Sequence, residues 1–328
     1  MEYRTKGKIV KGVGGLYIVR LAKKGGDPLS EKLVECRARG VFRHNRITPI
    51  VGDEVEVIYT DGSYVSDGEN TTPKEGGRDI MIAEVLPRRN SLIRPPVANI
   101  DMMFVSMAAA SPAPVEETID KMLSILEHSG IEAVVVIEKC ELDMEKARQL
   151  AEVYTLAGYK VFVLSCVTGE GVDDIKDFVY RELKGKTAAF AGASGVGKST
   201  LMNTLFPSLK LDTSNISRKI ERGRHTTRHV ELFPIDKDFE QGCIADTPGF
   251  SMLDFERFDF FTKDDLPLTM REFDDYIGLC KYTKCTHTKE EGCAILSAVR
   301  EGKIAKSRHN SFISMYNVLK EKKAWDKN

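Results

Sequence analysis

Gly192-Ala193-Ser194-Gly195-Val196-Gly197-Lys198-Ser199 decides how this 328-residue chain is read. The stretch fits G-x-x-x-x-G-K-[ST], a phosphate-binding loop. Its glycines let backbone N–H groups line a concavity for phosphate oxygens. Lys198 offers a point charge to β/γ-phosphates, and the Ser199 hydroxyl offers a ligand to Mg²⁺. Thr187 to Ala191 reads as a short buried strand before the loop. Thr200 to Phe206 reads as the helix whose N-terminus faces the anion. A strand-to-helix turn that binds nothing is the plainer alternative, and the flanking pattern argues against it.

Upstream of the loop, strands alternate with amphipathic helices. Met102 to Val105 is a buried strand, and Ile119, Met122, Leu123 and Leu126 recur at helical spacing before a stop at Gly130. Ala133 to Ile137 is the next strand, followed by a helix through Ala147, Leu150, Ala151 and Tyr154. Val161 to Leu164 and then Val172, Ile175, Phe178 and Val179 repeat the pair. Downstream, Cys243 to Ala245 is one more strand. The alternation predicts a mostly parallel sheet with helices on both faces, and ligands at the carboxyl ends of its strands.

Asp246-Thr247-Pro248-Gly249 closes that last strand, forty-seven residues beyond Ser199. An aspartate there holds Mg²⁺ through water, and the Gly249 N–H reaches a γ-phosphate. Between the two motifs lies Gly223-Arg224-His225-Thr226-Thr227-Arg228. A threonine here, Thr226 or Thr227, could complete the Mg²⁺ shell once a γ-phosphate is bound. A basic solvated loop is the alternative. His225 is the candidate to orient the attacking water, because Phe250 stands where many nucleotide hydrolases carry a glutamine; a solvent-exposed histidine with no catalytic role is the alternative.

The first ninety residues read differently. Val34, Cys36 and Ala38 alternate with charged neighbours, and Val55, Val57 and Tyr59 repeat the pattern after Gly52-Asp53. Tyr17–Leu21 and Ile80–Val85 add strands. Short strands between glycine turns predict a five-stranded barrel of OB type, which serves nucleic-acid binding or simple packing. Arg37, Arg39, Arg43 and Arg46 supply a basic face. Asp61 to Asp79 reads as a loop between barrel strands, and Pro87 to Asn99 as a linker.

Composition fits an ordinary globular protein, with 42% hydrophobic and 30% charged residues and a net charge of −1. The charge is unevenly spread. Residues 1–50 carry 12 Lys/Arg against 4 Asp/Glu, and residues 300–328 carry 8 against 3, which suits a polyanionic partner. No stretch is long and apolar enough to span a bilayer, and no secretory h-region follows Met1, so a cytoplasmic protein is expected. Of seven cysteines, three cluster with a histidine as Cys280-x₄-Cys285-x-His287-x₅-Cys293. Three thiolates and one imidazole make the ligand set of one closed structural Zn²⁺ site. Ala294–Val299 and Phe312–Leu319 read as helices after it.

The motifs resemble a GTPase domain with its pieces reordered. Glu138-Lys139-Cys140-Glu141 follows a strand where a GTPase places N-K-x-D, and Ser165-Cys166 follows the next, where a loop backs the guanine. Base recognition therefore precedes the phosphate loop, Gly192 to Thr200, which is a circular permutation. Taken whole, the chain resembles the circularly permuted GTPases of small ribosomal subunit biogenesis, the RsgA/YjeQ family. Val51-Gly52-Asp53, Leu92-Ile93-Arg94-Pro95 and Ala98-Asn99-Ile100-Asp101 join the phosphate and switch motifs in that likeness.

The resemblance implies a multidomain chain: an OB-type β-barrel over 1–90, a permuted α/β P-loop GTPase domain over 98–253 and a helical zinc-binding domain over 254–328. It also implies GTP hydrolysis stimulated by the small ribosomal subunit, late in that subunit's maturation, with rRNA, GTP and GDP as partners of a monomer. Two departures from the family pattern stand out. Glu138 and Glu141 occupy the Asn and Asp positions of N-K-x-D, so Glu141 keeps a carboxylate for the guanine N1–H and N2–H while Glu138 loses the amide donor. Arg228 replaces the family's third threonine, which leaves Thr226 and Thr227 as candidates for Mg²⁺, with Thr227 favoured. Two other readings therefore stay open. One is an ATPase or a relaxed-specificity NTPase; the other is a nucleotide-gated RNA-binding module with negligible hydrolysis. Calorimetry with GDP and ADP separates the first from a GTPase, and turnover separates the second.

Overall fold

The computed structural model describes residues 2–38, 48–60, 62, 64–67, 70–73, 80–92, 96–207, 230–236, 238–246 and 262–321. Two compact units emerge. The first comprises Met1–Asp101, Leu183–Ala189 and Ser217–Gly249; the second comprises Met102–Glu182, Phe190–Ile216 and Phe250–Asn328.

The first unit is built on five strands: β1 (Glu2–Val13), β2 (Leu16–Leu21), β3 (Leu33–Ala38), β4 (Glu54–Thr60) and β7 (Met81–Val85). β1 pairs with both β2 and β4, β2 with β3, β3 in parallel with β7, and β7 with β4. That circuit is closed, so none of the five is a free edge. β1 pairs through one edge with β2 and through the other with β4, and at Gly7 the neighbouring strand comes very close. A Cβ there would lie 2.6 Å from Val19 Cγ1 and 2.7 Å from Arg20 O. Ile9, Val19, Val34, Cys36, Val55, Val57 and Ile82 fill the interior with no exposure. The full run of β1 is not obvious in the sequence, because Gly7 and Gly12 interrupt its alternation.

Two expectations are corrected here. The Asp61–Asp79 loop contains an antiparallel hairpin, β5 (Tyr64–Asp67) with β6 (Asn70–Pro73), and β6 runs parallel to β3. Backbone pairing and the Ser66–Thr71 hydroxyl contact at 2.8 Å substitute for apolar content. The supposed linker is also packed in place. β8 (Ser91–Leu92) pairs with β9 (Val97–Ala98), and Arg88 makes a two-pronged ion pair with the buried Asp53 at 2.6 and 2.8 Å. Gly52, at φ +88°, sits so close to Ala98 O that a Cβ would overlap it. The Asn99 amide donates to Gly52 O at 3.0 Å. The Val51-Gly52-Asp53 motif is thus the seat of the segment after the barrel.

Also in this unit, β14 (Glu231–Ile235) pairs antiparallel with β15 (Asp238–Asp246), and β15 runs parallel to the start of β13 (Thr187–Gly192).

In the second unit, β10 (Met102–Ala108), β11 (Glu132–Glu138) and β12 (Lys160–Val163) form a parallel sheet in which Met102 opposes Glu132 and Val134 opposes Lys160. The end of β13 lies beside β10, where the Phe104 and Phe190 rings stack at 4.8 Å. The connections are α1 (Glu116–His128), α2 (Met144–Leu156) and α3 (Val172–Glu182), and α4 (Lys198–Leu205) follows β13. Asp143 caps α2 by accepting from Lys146 N at 2.9 Å. Residues 262–321 add short 3₁₀ turns, α5 (Ala294–Arg300) and α6 (Lys306–Glu321). Their core of Leu266, Met270, Phe273, Ile295, Phe312 and Met315 continues into Ile125 of α1.

Candidate functional site

All six residues of β13 are buried, so the strand holds the phosphate loop at a fixed place. Gly192, Gly195 and Gly197 have φ of +146°, +81° and +130°, which L side chains adopt at a cost. A Cβ on Gly192 would overlap Ser106 O, and one on Gly197 would overlap Glu138 Oε2. Val196 turns inward and pins the loop, while Ala193, Ser194 and Gly195 stay exposed. α4 starts at Lys198, with Leu201 N donating to Gly197 O at 2.9 Å. Ser199 is half-buried and Thr200 exposed on its first turn. Lys198 Nζ folds over the loop and donates to Gly192 O at 2.8 Å and Ala193 O at 2.7 Å. Burial holds this ammonium below its usual value, with the nearby Glu138 opposing the shift.

The base-recognition candidates gather around the same loop. Lys139, at φ +59°, extends from the end of β11 and donates to Gly195 O at 2.6 Å and Ser111 O at 2.7 Å. The lysine after β11 is therefore tied directly to the phosphate loop. Cys140 is buried, and its N–H donates to Leu164 O at 3.2 Å, while Glu141 is exposed. Ser165 is buried, and its Oγ accepts from Val167 N at 3.2 Å and Thr168 N at 3.1 Å, shaping the loop after β12. Cys166 is half-buried beside it, and burial followed by the Glu138 charge pushes its thiol up.

Glu138 behaves differently from the expectation of a lost donor. Only 2% exposed, it has a carboxyl raised to about 7 by burial, which outweighs the Ser106 hydroxyl and the attraction of Lys198 and Lys139. A carboxyl with that value is about half protonated at pH 7, and its protonated form carries one O–H donor. The sequence reading also missed Ser106 and Ser111. Ser106 had a signal, as the lone polar residue in the Met102–Ala110 run.

β15 ends at Asp246, one residue past the Ala189–Ala245 register pair. The Asp246 side chain lies outside the described residues, as do His225, Thr226, Thr227 and Gly249, and Arg39, Arg43 and Arg46 of the barrel.

A second centre sits in residues 262–321. The ligand atoms of Cys280, Cys285, His287 and Cys293 all lie within 4.8 Å of one another. Cys280 Sγ is 3.8 Å from Cys293 Sγ, and His287 Nδ1 is 3.5 Å from both. For tetrahedral coordination with bonds of about 2.3 Å to sulfur and about 2.0 Å to nitrogen, these edges come to about 3.8 and 3.5 Å. The donor set therefore fits a closed tetrahedral metal. None of these cysteines is in a disulfide. Ala294 N and Leu296 N donate to the Cys280 and Cys293 sulfurs at 3.4 and 3.5 Å, contacts that favour thiolates.

In the parallel sheet, the phosphate loop follows β13 while Lys139 and Ser165 follow β11 and β12, strands that come earlier in the chain. That order defines a circularly permuted P-loop GTPase. The RsgA GTPase family model matches residues 85–256, and the RsgA N-terminal domain model matches residues 6–64. A small ribosomal subunit biogenesis GTPase RsgA of Caldanaerobacter subterraneus subsp. tengcongensis is 39% identical over 320 residues, 97% of each chain. That of Bacillus anthracis is 38% identical over 97% of this chain and 98% of its own. Among solved structures, YjeQ from Thermotoga maritima gives a TM-score of 0.76 at 31% identity, covering 98% of this chain and 100% of that one. YloQ, a circularly permuted GTPase, gives 0.71 at 31% identity over 98% and 96%. The chain belongs to the RsgA GTPase family.

Proposed function

We propose that this protein hydrolyses GTP to GDP and phosphate during late maturation of the small ribosomal subunit, with subunit binding stimulating turnover and rRNA among its contacts. The observation that carries the reading is the Lys139–Gly195 bond, because it fastens a base-recognition loop to a phosphate loop in the permuted order. Gly192 to Thr200 would cradle the phosphates with backbone N–H groups. Lys198 would exchange its two loop carbonyls for β/γ-phosphate oxygens, which costs little because its charge is retained. Ser199, Thr227 and Asp246 are the residues to hold Mg²⁺, which when bound neutralises charge developing on the transferred phosphoryl group. Glu141 would pair with guanine N1–H and N2–H, Lys139 would lay its stem along the base, and Ser165 and Cys166 would back it. His225 is assigned to orienting water, with slow intrinsic turnover because Phe250 cannot do so.

The Cys280, Cys285, His287 and Cys293 cluster is read as one structural zinc site, since four protein ligands leave no open position for water. The three-part division at 1–90, 98–253 and 254–328 goes with this reading, as does a cytoplasmic monomer. Among the described residues no helix is long and apolar enough to cross a membrane. The test is GTP turnover with and without purified small subunits, beside calorimetry with GDP and ADP. Stimulated GTP turnover and a clear preference for GDP are expected. Equal binding of ADP would replace the reading with a relaxed NTPase.

A further inference from the structure

Glu138 closes β11 opposite Ala108 and turns its side chain inward, against the phosphate loop. Its Oε2 occupies the space a Cβ on Gly197 would need. The cations nearest in the chain are committed elsewhere: Lys198 to Gly192 O and Ala193 O, Lys139 to Ser111 O and Gly195 O. Among the described residues Oε1 is buried with no hydrogen-bond partner, and so is Ser106 Oγ on the adjacent strand. A carboxylate stripped of water, of ion pairs and of donors at one oxygen relieves that cost by taking a proton.

Among the described residues, four groups face it. Lys198 comes from α4, Lys139 from its own loop, Cys166 from the loop after β12 and Ser106 from β10. The Cys166 thiol is raised above its usual value, so it brings no negative charge at neutral pH. The Ser106 hydroxyl and the two lysines pull toward ionisation, and burial prevails.

We propose that Glu138 is a proton-bearing positioning residue, neutral whenever nucleotide is bound, so that binding of a guanine nucleotide takes up a proton from solvent. The inference rests on the GTP-binding reading. A polyphosphate seated on the outer side of this loop places several negative charges near the carboxyl, and like charge disfavours its ionised form further. The neutral acid also offers one O–H donor, where the ionised form offers none. An amide at this position would donate at any pH; a carboxyl does so only below its own titration. With the free group titrating at about 7, nucleotide affinity falls as pH rises above that value. The limit is about tenfold per pH unit, until the titration of the bound form is passed.

The test is calorimetry of Mg²⁺ and GDP binding to the full chain at pH 8, in Hepes and in Tris. The terminal phosphate of GDP is already ionised there, and the two buffers differ in ionisation heat. Saturable heat reports nucleotide binding itself; the difference between buffers counts protons. Wild type is expected to take up roughly half a proton or more, with a dissociation constant weaker by about tenfold at pH 8.5 than at pH 7. Glu138→Gln is expected to take up none and to bind with an affinity flat across that range. Buffer-independent heats in the wild type would overturn the proposal, and that measurement needs no variant. Proton uptake persisting in Glu138→Gln would overturn it equally.

Discussion

Arg308 Nη1 donates to Asp120 Oδ1 at 2.7 Å, and neither side chain reaches solvent. The other edge of the guanidinium makes two bonds to Glu272, at 2.7 and 3.1 Å, and its central carbon lies 5.9 and 5.6 Å from the centroids of the Tyr154 and Tyr159 rings. One side chain on α6 thus fastens that helix to α1 and to the turn at Arg271–Phe273. Removing one partner strands the other charges in a dry place. Arg308→Ala is expected to lower unfolding stability by about 3–5 kcal/mol, read from urea denaturation. Arg308→Met combined with Asp120→Leu and Glu272→Leu is expected to recover most of that loss, because no charge is left unpaired. A single variant within about 0.5 kcal/mol of wild type would show that the cluster is not holding the helix.

Gly197 is expected to tolerate no side chain. Its φ of +130° already disfavours any L residue, and a Cβ would overlap the Glu138 carboxylate. Gly197→Ala should abolish measurable binding of a fluorescent GDP analogue while the chain stays folded by circular dichroism. Adding Glu138→Ala should restore only part of the affinity, since it removes the overlap and leaves the backbone strain. Full binding by Gly197→Ala alone would mean that the loop adopts another shape with nucleotide.

Glu138 should also leave a mark on the stability of the nucleotide-free protein. The native state keeps this proton up to about pH 7, whereas an unfolded chain releases it near 4.3. Between those values the native state binds more protons, so stability falls as pH rises through the window. The loss amounts to on the order of 3 kcal/mol by pH 8. Glu138→Gln is expected to flatten this slope and to be the more stable protein at pH 8. Parallel pH–stability curves for the two proteins would show that the carboxyl titrates normally.

What could be read from the sequence follows the range of the interactions. The phosphate loop, the strand–helix alternation and the Cys/His spacing are local patterns, and the fold places each where its spacing predicts. Long-range packing is what stayed hidden. Arg308 counts in the sequence among the basic residues of the last segment, yet its partners Asp120 and Glu272 stand 188 and 36 residues away. Pro87 to Asn99 has the composition of a linker, but Gly52 and Asp53 receive it across the chain. Glu138 looks like a plain loss of an amide; the burial that raises its carboxyl depends on the phosphate loop folding against the end of β11.

Glu290 lies between His287 and Cys293 and accepts from Thr286 N at 2.9 Å, Thr286 Oγ1, Thr288 N at 3.1 Å and Lys289 N at 3.1 Å. Against some desolvation, these donors hold its carboxyl down to about 2, so it is ionised at any working pH. It therefore fixes the turn that presents His287, whose backbone stands at φ +59°, without itself being a ligand. Cys293 in turn belongs to the buried core around Phe273 and Phe312, so the site and that core should form together. Purified protein is expected to carry about one zinc per chain by elemental analysis. Stripping it with a strong chelator should lower the melting temperature and open residues 262–321 to protease. Glu290→Gln keeps all four ligands but weakens the acceptor, and should loosen metal binding by about 10-fold or more in competition with a chromogenic chelator. Metal-free protein with unchanged melting and protease resistance would remove the structural role.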